Sequence, residues 1–222
     1  MKNILFVLTG LMLIQLQTQA QTKEGNSRAK NPAVATPLRI SPQLGISSFA
    51  IKTEDLEIGA KDGLTVGMNS YMEIAPEVDF ETGLHYMTMG GQQKGTLFGE
   101  SISNTLSLSY LAIPLSVRYK FHQMEGPGDP RLYIKGGMTL AFLTSAKQDL
   151  TLGSVSVNRD IIEKTKGFDL LPSISLGGSY NLGNFQEVLV DITYMRGTQS
   201  VFSEFQSSNE GMIGTISYSL EI

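Results

Sequence analysis

Glu81 and His85 stand four residues apart in the stretch FETGLHY. On a β-strand that spacing puts both side chains on one face. A carboxylate so placed can orient an imidazole as a base, the arrangement a lipid hydrolase would need. The competing reading makes both residues part of an interior polar network with no reaction attached. His122, the other histidine, opens a turn. A second set of charges raises a placement problem. In YLAIPLSVRYKF, Leu111, Ile113, Leu115, Val117 and Phe121 alternate with a series that ends in Arg118 and Lys120. If the apolar series faces lipid, the two cations face the other way, because an Arg on the lipid side at midplane costs about 2–4 kcal/mol. The same parity puts Arg39, Glu73, Glu81, Lys135, Asp191 and Glu221 on the polar side. With Arg118 and Lys120 this is a candidate lumen network of four basic and four acidic groups. Buried charges persist when they are paired and hydrogen-bonded. No metal-ligand spacing, nucleotide loop or hydrolase elbow accompanies them, so no cofactor and no metal is implied.

The elements that position these residues follow from a period of two. Leu64, Val66, Met68, Met72 and Ile74 alternate with Thr65, Gly67, Asn69, Tyr71 and Glu73. Phe80 to Tyr86, Leu132 to Phe142, Phe168 to Leu182, Val188 to Tyr194 and Met212 to Ile222 alternate in the same way. With residues 38–52 and the YLAIPLSVRYKF stretch, eight candidate strands result, each with two chemically different faces. Several exceed the five to six residues usual in soluble proteins and suit a tilted bilayer crossing of about ten. Long connections are expected near 53–62, 90–104, 146–167 and 198–210, and shorter ones at Ala75–Val78, His122–Pro130 and Asn181–Gln186. Long loops at one end and short turns at the other define an all-β, eight-stranded, antiparallel up-and-down transmembrane β-barrel, closed so that no edge meets lipid. A barrel of eight strands is just wide enough for side chains to fill, so a plugged, salt-bridged lumen is expected. One β-bulge would reverse the parity of everything after it. Tyr86, Tyr119, Phe121, Tyr180, Tyr194 and Tyr218 fall near strand ends, as an interfacial girdle or as ordinary strand aromatics.

Composition narrows the class. The chain has 222 residues, a formal net charge of -4 and no cysteine, with a pI near 5.2. That balance argues against nucleic-acid binding, and the lack of cysteine excludes disulfides and thiolate metal sites. Residues 1–20 read as a signal peptide: Lys2, an apolar run from Ile4 to Ile14, and Thr18-Gln19-Ala20 at the cleavage position. The run is shorter than the ~20 residues of a membrane-spanning helix. An uncleaved membrane anchor is the alternative. Residues 21–37 read as a flexible lead-in and 38–222 as the barrel domain.

The strand YLAIPLSVRYKF resembles the "YLxIPLxxKYxF" strand of the PorT-like outer-membrane β-barrel domain family of Gram-negative envelopes. LTVGMNSYMEIAPEVDFETGLHYMTMGGQ resembles its preceding hairpin, and LYIKGGMTLAFL its following strand. FDLLPSISLGGSYNL and VLVDITYMRG resemble the later pair. The resemblance spans residues 38–222 and departs at SVSVNRDIIEKTKG, within 146–167, and at the final Ile222. It implies a monomeric barrel of the outer membrane, in contact with its lipid. It also implies a structural or interaction role, with an envelope or secretion-machinery protein as partner. Competing readings are a soluble lipocalin-like binder, with apolar interior and charged exterior, a lipid hydrolase using His85, and a narrow channel.

Overall fold

In the computed structural model, residues 38–53, 57–97, 99–121, 128–183, 186–202 and 207–222 are described. The signal peptide, the lead-in and His122 lie outside them. Nine strands form: β1 (Leu38–Thr53), β2 (Glu57–Ala75), β3 (Val78–Leu97), β4 (Glu100–Lys120), β5 (Pro130–Leu152), β6 (Val155–Asp160), β7 (Phe168–Gly183), β8 (Gln186–Arg196) and β9 (Ser207–Glu221). Eight of them, all but β6, pair antiparallel with their neighbours. The β1–β9 pairing then closes the ring. Closure satisfies every ladder without leaving an edge, the condition for a sheet in lipid.

The outer wall is apolar where the ring is complete. Leu44, Ile46, Leu64, Val66, Met68, Ile134, Met138, Ile174, Leu176, Val190, Ile192 and Ile216 are exposed on it. Charge therefore lies inside and hydrocarbon outside, the opposite of a lipocalin. Aromatic side chains mark both borders of this belt. Tyr119, Phe121, Tyr180 and Tyr218 are exposed at the end of the short turns, with the Tyr119 and Phe121 rings edge-on at 5.6 Å. Tyr86 and Tyr194 are exposed towards the other end.

Three expectations about the connections need correction. Most of 53–62 and 90–104 is strand: β1 runs to Thr53 and β2 starts at Glu57, while β3 runs to Leu97 and β4 starts at Glu100. These strands project beyond the belt, and their faces change chemistry there. Outward positions on β4 become Ser101, Ser103, Thr105, Ser107 and Ser109, while Leu106 and Leu108 turn inward and are buried. The period of two persists but its apolar phase inverts, because beyond lipid the outside must be wet. The segment 146–167 is likewise ordered. β5 continues to Leu152, turns at Gly153-Ser154 and returns as β6, pairing Leu152 with Val155 and Lys147 with Asp160. Gly153 has φ 55, a left-handed backbone that favours glycine in a two-residue hairpin turn.

A register shift between Ser109 and Tyr110 in the β4–β5 ladder leaves Thr144 unmatched. Before it, odd residues of β5 point inward (Tyr133, Lys135, Thr139, Ala141); after it Ala146 does, and Lys147 is exposed. The parity reversal that a bulge would bring thus occurs once on β5, above the belt.

Candidate functional site

The interior is stratified along the barrel axis. At the short-turn end it is ionic. Asp79 of β3 is fully buried and faces its register partner Arg118 on β4. Its Oδ2 accepts hydrogen bonds from Arg118 Nε at 2.9 Å and from Nη2. Its Oδ1 accepts from Lys120 Nζ at 2.9 Å and from Arg39 Nη2 at 3.2 Å. One carboxylate therefore serves three cations. The Arg118 guanidinium lies between two phenol rings, 4.4 Å from the Tyr71 centroid and 5.0 Å from that of Tyr133. Arginine fits such a slot because its planar ion stacks while its edge donates in two directions. Excess positive charge is met by Glu187, 3.2 Å from Arg39, and by Glu73, 3.6 Å from Lys120. A second cluster sits beside it: Lys135 Nζ is 3.2 Å from Glu81 and 3.1 Å from Asp191.

Six of the eight residues singled out in the sequence are buried or nearly so and ion-paired: Arg39, Glu81, Arg118, Lys120, Lys135 and Asp191. Two differ. The Glu73 side chain is 47% exposed at the barrel end, where it reaches Lys120 from the mouth. Glu221 is half-buried and, although Arg39 is its register partner, takes part in no ion pair among the described residues. Arg39 instead reaches Asp79 and Glu187, which carry the network and were not among the expected members. The signal for both was present. Asp79 and Glu187 share parity with Glu81 and Asp191, but each lies one residue outside the strand limits drawn from hydrophobic alternation.

The middle layer is polar and neutral. His85 Nε2 lies 2.6 Å from Asn69 Oδ1, and Nδ1 lies 3.5 Å from Gln43 Nε2. Asn69 donates in turn to Gln43 Oε1 at 2.7 Å. The Glu81–His85 pairing considered from the sequence is absent here, because Glu81 turns to Lys135. The stronger positive charge of a lysine takes the carboxylate, and an amide fills the place of a base-orienting acid. A cavity of about 40 Å³ remains in this layer, space on the order of one or two waters.

At the far end the interior is apolar. Phe49, Ile51, Met87, Met89, Leu106, Leu108, Tyr110, Leu171 and Ile213 form one buried cluster. Asp169 closes it from above. Its carboxylate accepts Asn209 Nδ2 at 3.2 Å and the Gln199 N–H at 3.1 Å, tying β7 to β9 and to the β8–β9 connection.

A ring of eight antiparallel strands, apolar outside and filled inside, with aromatic borders, defines a small transmembrane barrel. The sequence matches the model of the outer membrane protein beta-barrel domain family over residues 19–203, and the chain belongs to that family. It is a protein of the outer membrane. Its fold is similar to the outer membrane protein OprG from Pseudomonas aeruginosa, at 12% identity and TM-score 0.52, covering 84% of this chain and 96% of that one. Neisserial surface protein A aligns at 11% identity and TM-score 0.47, covering 82% and 97%. No curated protein sequence matches the chain.

Proposed function

We propose that this protein is a non-enzymatic barrel that works at its loop-side rim as a structural or interaction protein, accessory to secretion or envelope assembly in the manner of the PorT-like proteins its strands resemble. The observation that carries the reading is the filled interior. Ion pairs occupy one end and an apolar cluster the other, which speaks against conduction and leaves the rim as the surface where a partner can be met. The β5–β6 hairpin supports it. Leu152, Val155 and Val157 are 47%, 64% and 42% exposed on the projecting sheet, where lipid does not cover them. Exposed apolar side chains grouped beyond the membrane suit contact with another protein.

Photo-crosslinking in intact cells tests this. A photoreactive residue at Val155 or Val157 is expected to give discrete adducts with an envelope protein, and the same probe at Ser103 to give none. Steady single-channel conductance from purified protein in planar bilayers, with no adduct at either valine, would overturn it.

A further inference from the structure

Beyond the rim, we infer that the outer wall holds a phosphate-binding site for an anionic glycolipid of the outer leaflet, built from Lys52, Lys166 and Arg196. The three line one cavity of about 720 Å³, together with the hydroxyl-bearing Thr198, Ser200 and Ser208. Its place on the barrel identifies the occupant. On β8 the outward series runs Val190, Ile192, Tyr194 and then Arg196. On β9 it descends from Ile216 through Met212 to Glu210 and Ser208, and on β1 it rises from Leu44 and Ile46 to Lys52. Register places Tyr194 beside Met212, Arg196 beside Glu210, and Lys52 beside Ser208. Across three adjacent strands, the lipid-facing surface thus becomes cationic one step above an interfacial tyrosine.

Among the described residues of this patch, cations outnumber carboxylates. Glu210 lies 3.0 Å from Lys52 and 3.8 Å from Arg196, one anion between two cations. Lys166 adds a third cation, held in place where its N–H donates to the Val201 carbonyl at 2.9 Å. The Arg196 side chain is 65% exposed and that of Lys52 41%, so both are within reach of a ligand at the surface. Cations flanked by hydroxyl donors are the chemistry of phosphate recognition. A phosphate held here would lie at headgroup level, with its acyl chains against Ile192, Val190 and Ile216 below. A free anion would have no use for that apolar continuation.

The test uses the full protein in detergent, with bisphosphorylated lipid A and its dephosphorylated form as probes and native mass spectrometry as readout. Each basic residue near a membrane surface contributes on the order of 1 kcal/mol, so Lys52→Gln/Lys166→Gln/Arg196→Gln is expected to retain the bisphosphorylated lipid roughly a hundredfold less well. Lys94→Gln/Lys147→Gln, on the opposite wall, is expected to leave retention unchanged, and the dephosphorylated lipid to bind poorly to the parent chain. Lys166→Gln alone, outside the strands, gives a smaller loss without threatening the ladder. Equal retention by parent and triple variant, or an equal loss in the control variant, would overturn the site. Complete displacement of the lipid by millimolar inorganic phosphate would overturn the glycolipid as its occupant.

Discussion

Asp79 and Arg118 are register partners on β3 and β4, and the guanidinium gives two hydrogen bonds to one carboxylate oxygen at a point without solvent exposure. Because Lys120 and Arg39 share that carboxylate, removing Asp79 takes the carboxylate from the fully buried Arg118 and leaves Arg39 with Glu187 and Lys120 with Glu73, whereas removing Arg118 leaves a carboxylate that keeps two partners. Breaking a buried pair costs about 3–5 kcal/mol. Asp79→Ala is expected in the upper part of that range and Arg118→Ala in the lower. Arg118→Lys is expected to lose about 1–2 kcal/mol as stacking on Tyr71 and Tyr133 is lost. Guanidinium unfolding in detergent, followed by the heat-dependent gel shift, measures all three. The double variant Asp79→Ala/Arg118→Ala should cost less than the sum of the singles.

Gly177 is expected to tolerate no side chain. It lies between Tyr133 and Asp191 in register, and a Cβ would come 2.4 Å from the Tyr133 ring and 2.6 Å from Asp191 Oδ1. The ring cannot retreat, because Arg118 is stacked on it. Gly177→Ala should destabilise by about 1–3 kcal/mol, as overpacking does. Neighbouring Gly178 meets nothing closer than 3.6 Å, so Gly178→Ala in the same unfolding assay should be close to neutral.

His85→Ala separates a lipid-modifying enzyme from a filled barrel. His85 is buried among Asn69 and Gln43, without a carboxylate partner among the described residues. Its loss leaves an amide unsatisfied, at about 1–3 kcal/mol. The expected outcome is a lower unfolding midpoint with an unchanged envelope lipid profile by mass spectrometry. An altered lipid profile at unchanged stability would favour the enzyme.

These residues also show where the sequence is legible. Strand parity is read directly wherever one face meets lipid, which is why Arg118, Lys120, Lys135, Asp191 and Glu81 could be assigned inward from Leu115, Val117, Ile134 and their like. Above the belt the same alternation continues with its apolar side reversed, so Ser101 and Ser103 read as part of the 90–104 connection. Gly153-Ser154 between DLTL and VSVN is a two-residue hairpin signal inside the 146–167 segment, whose polar residues otherwise read as one connection. Pairing choices are less accessible still. Parity puts Arg39, Glu221 and Glu73 near one mouth, but only three-dimensional reach across the lumen selects Asp79 and Glu187 as partners of Arg39 over Glu221 beside it.

Asp169 links the filled interior to the outer wall. Its carboxylate is buried, and its hydrogen-bond donors here, the Gln199 N–H and Asn209 Nδ2, are neutral. Gly197 packs against it so closely that a Cβ would sit 2.5 Å from Oδ2. Gly197, Thr198, Gln199 and Ser200 also line the cationic cavity, so the carboxylate shapes that cavity through the backbone it holds. In Asp169→Ala these N–H groups lose their acceptor, at about 1–3 kcal/mol. Hydrogen exchange at Gln199 should accelerate by roughly ten- to a hundredfold, while β2 and β3 amides stay protected. Retention of bisphosphorylated lipid should fall as well, although Lys52, Lys166 and Arg196 are all present. Faster exchange with undiminished retention would mean that the cations hold phosphate without help from the ordered backbone of residues 197–200.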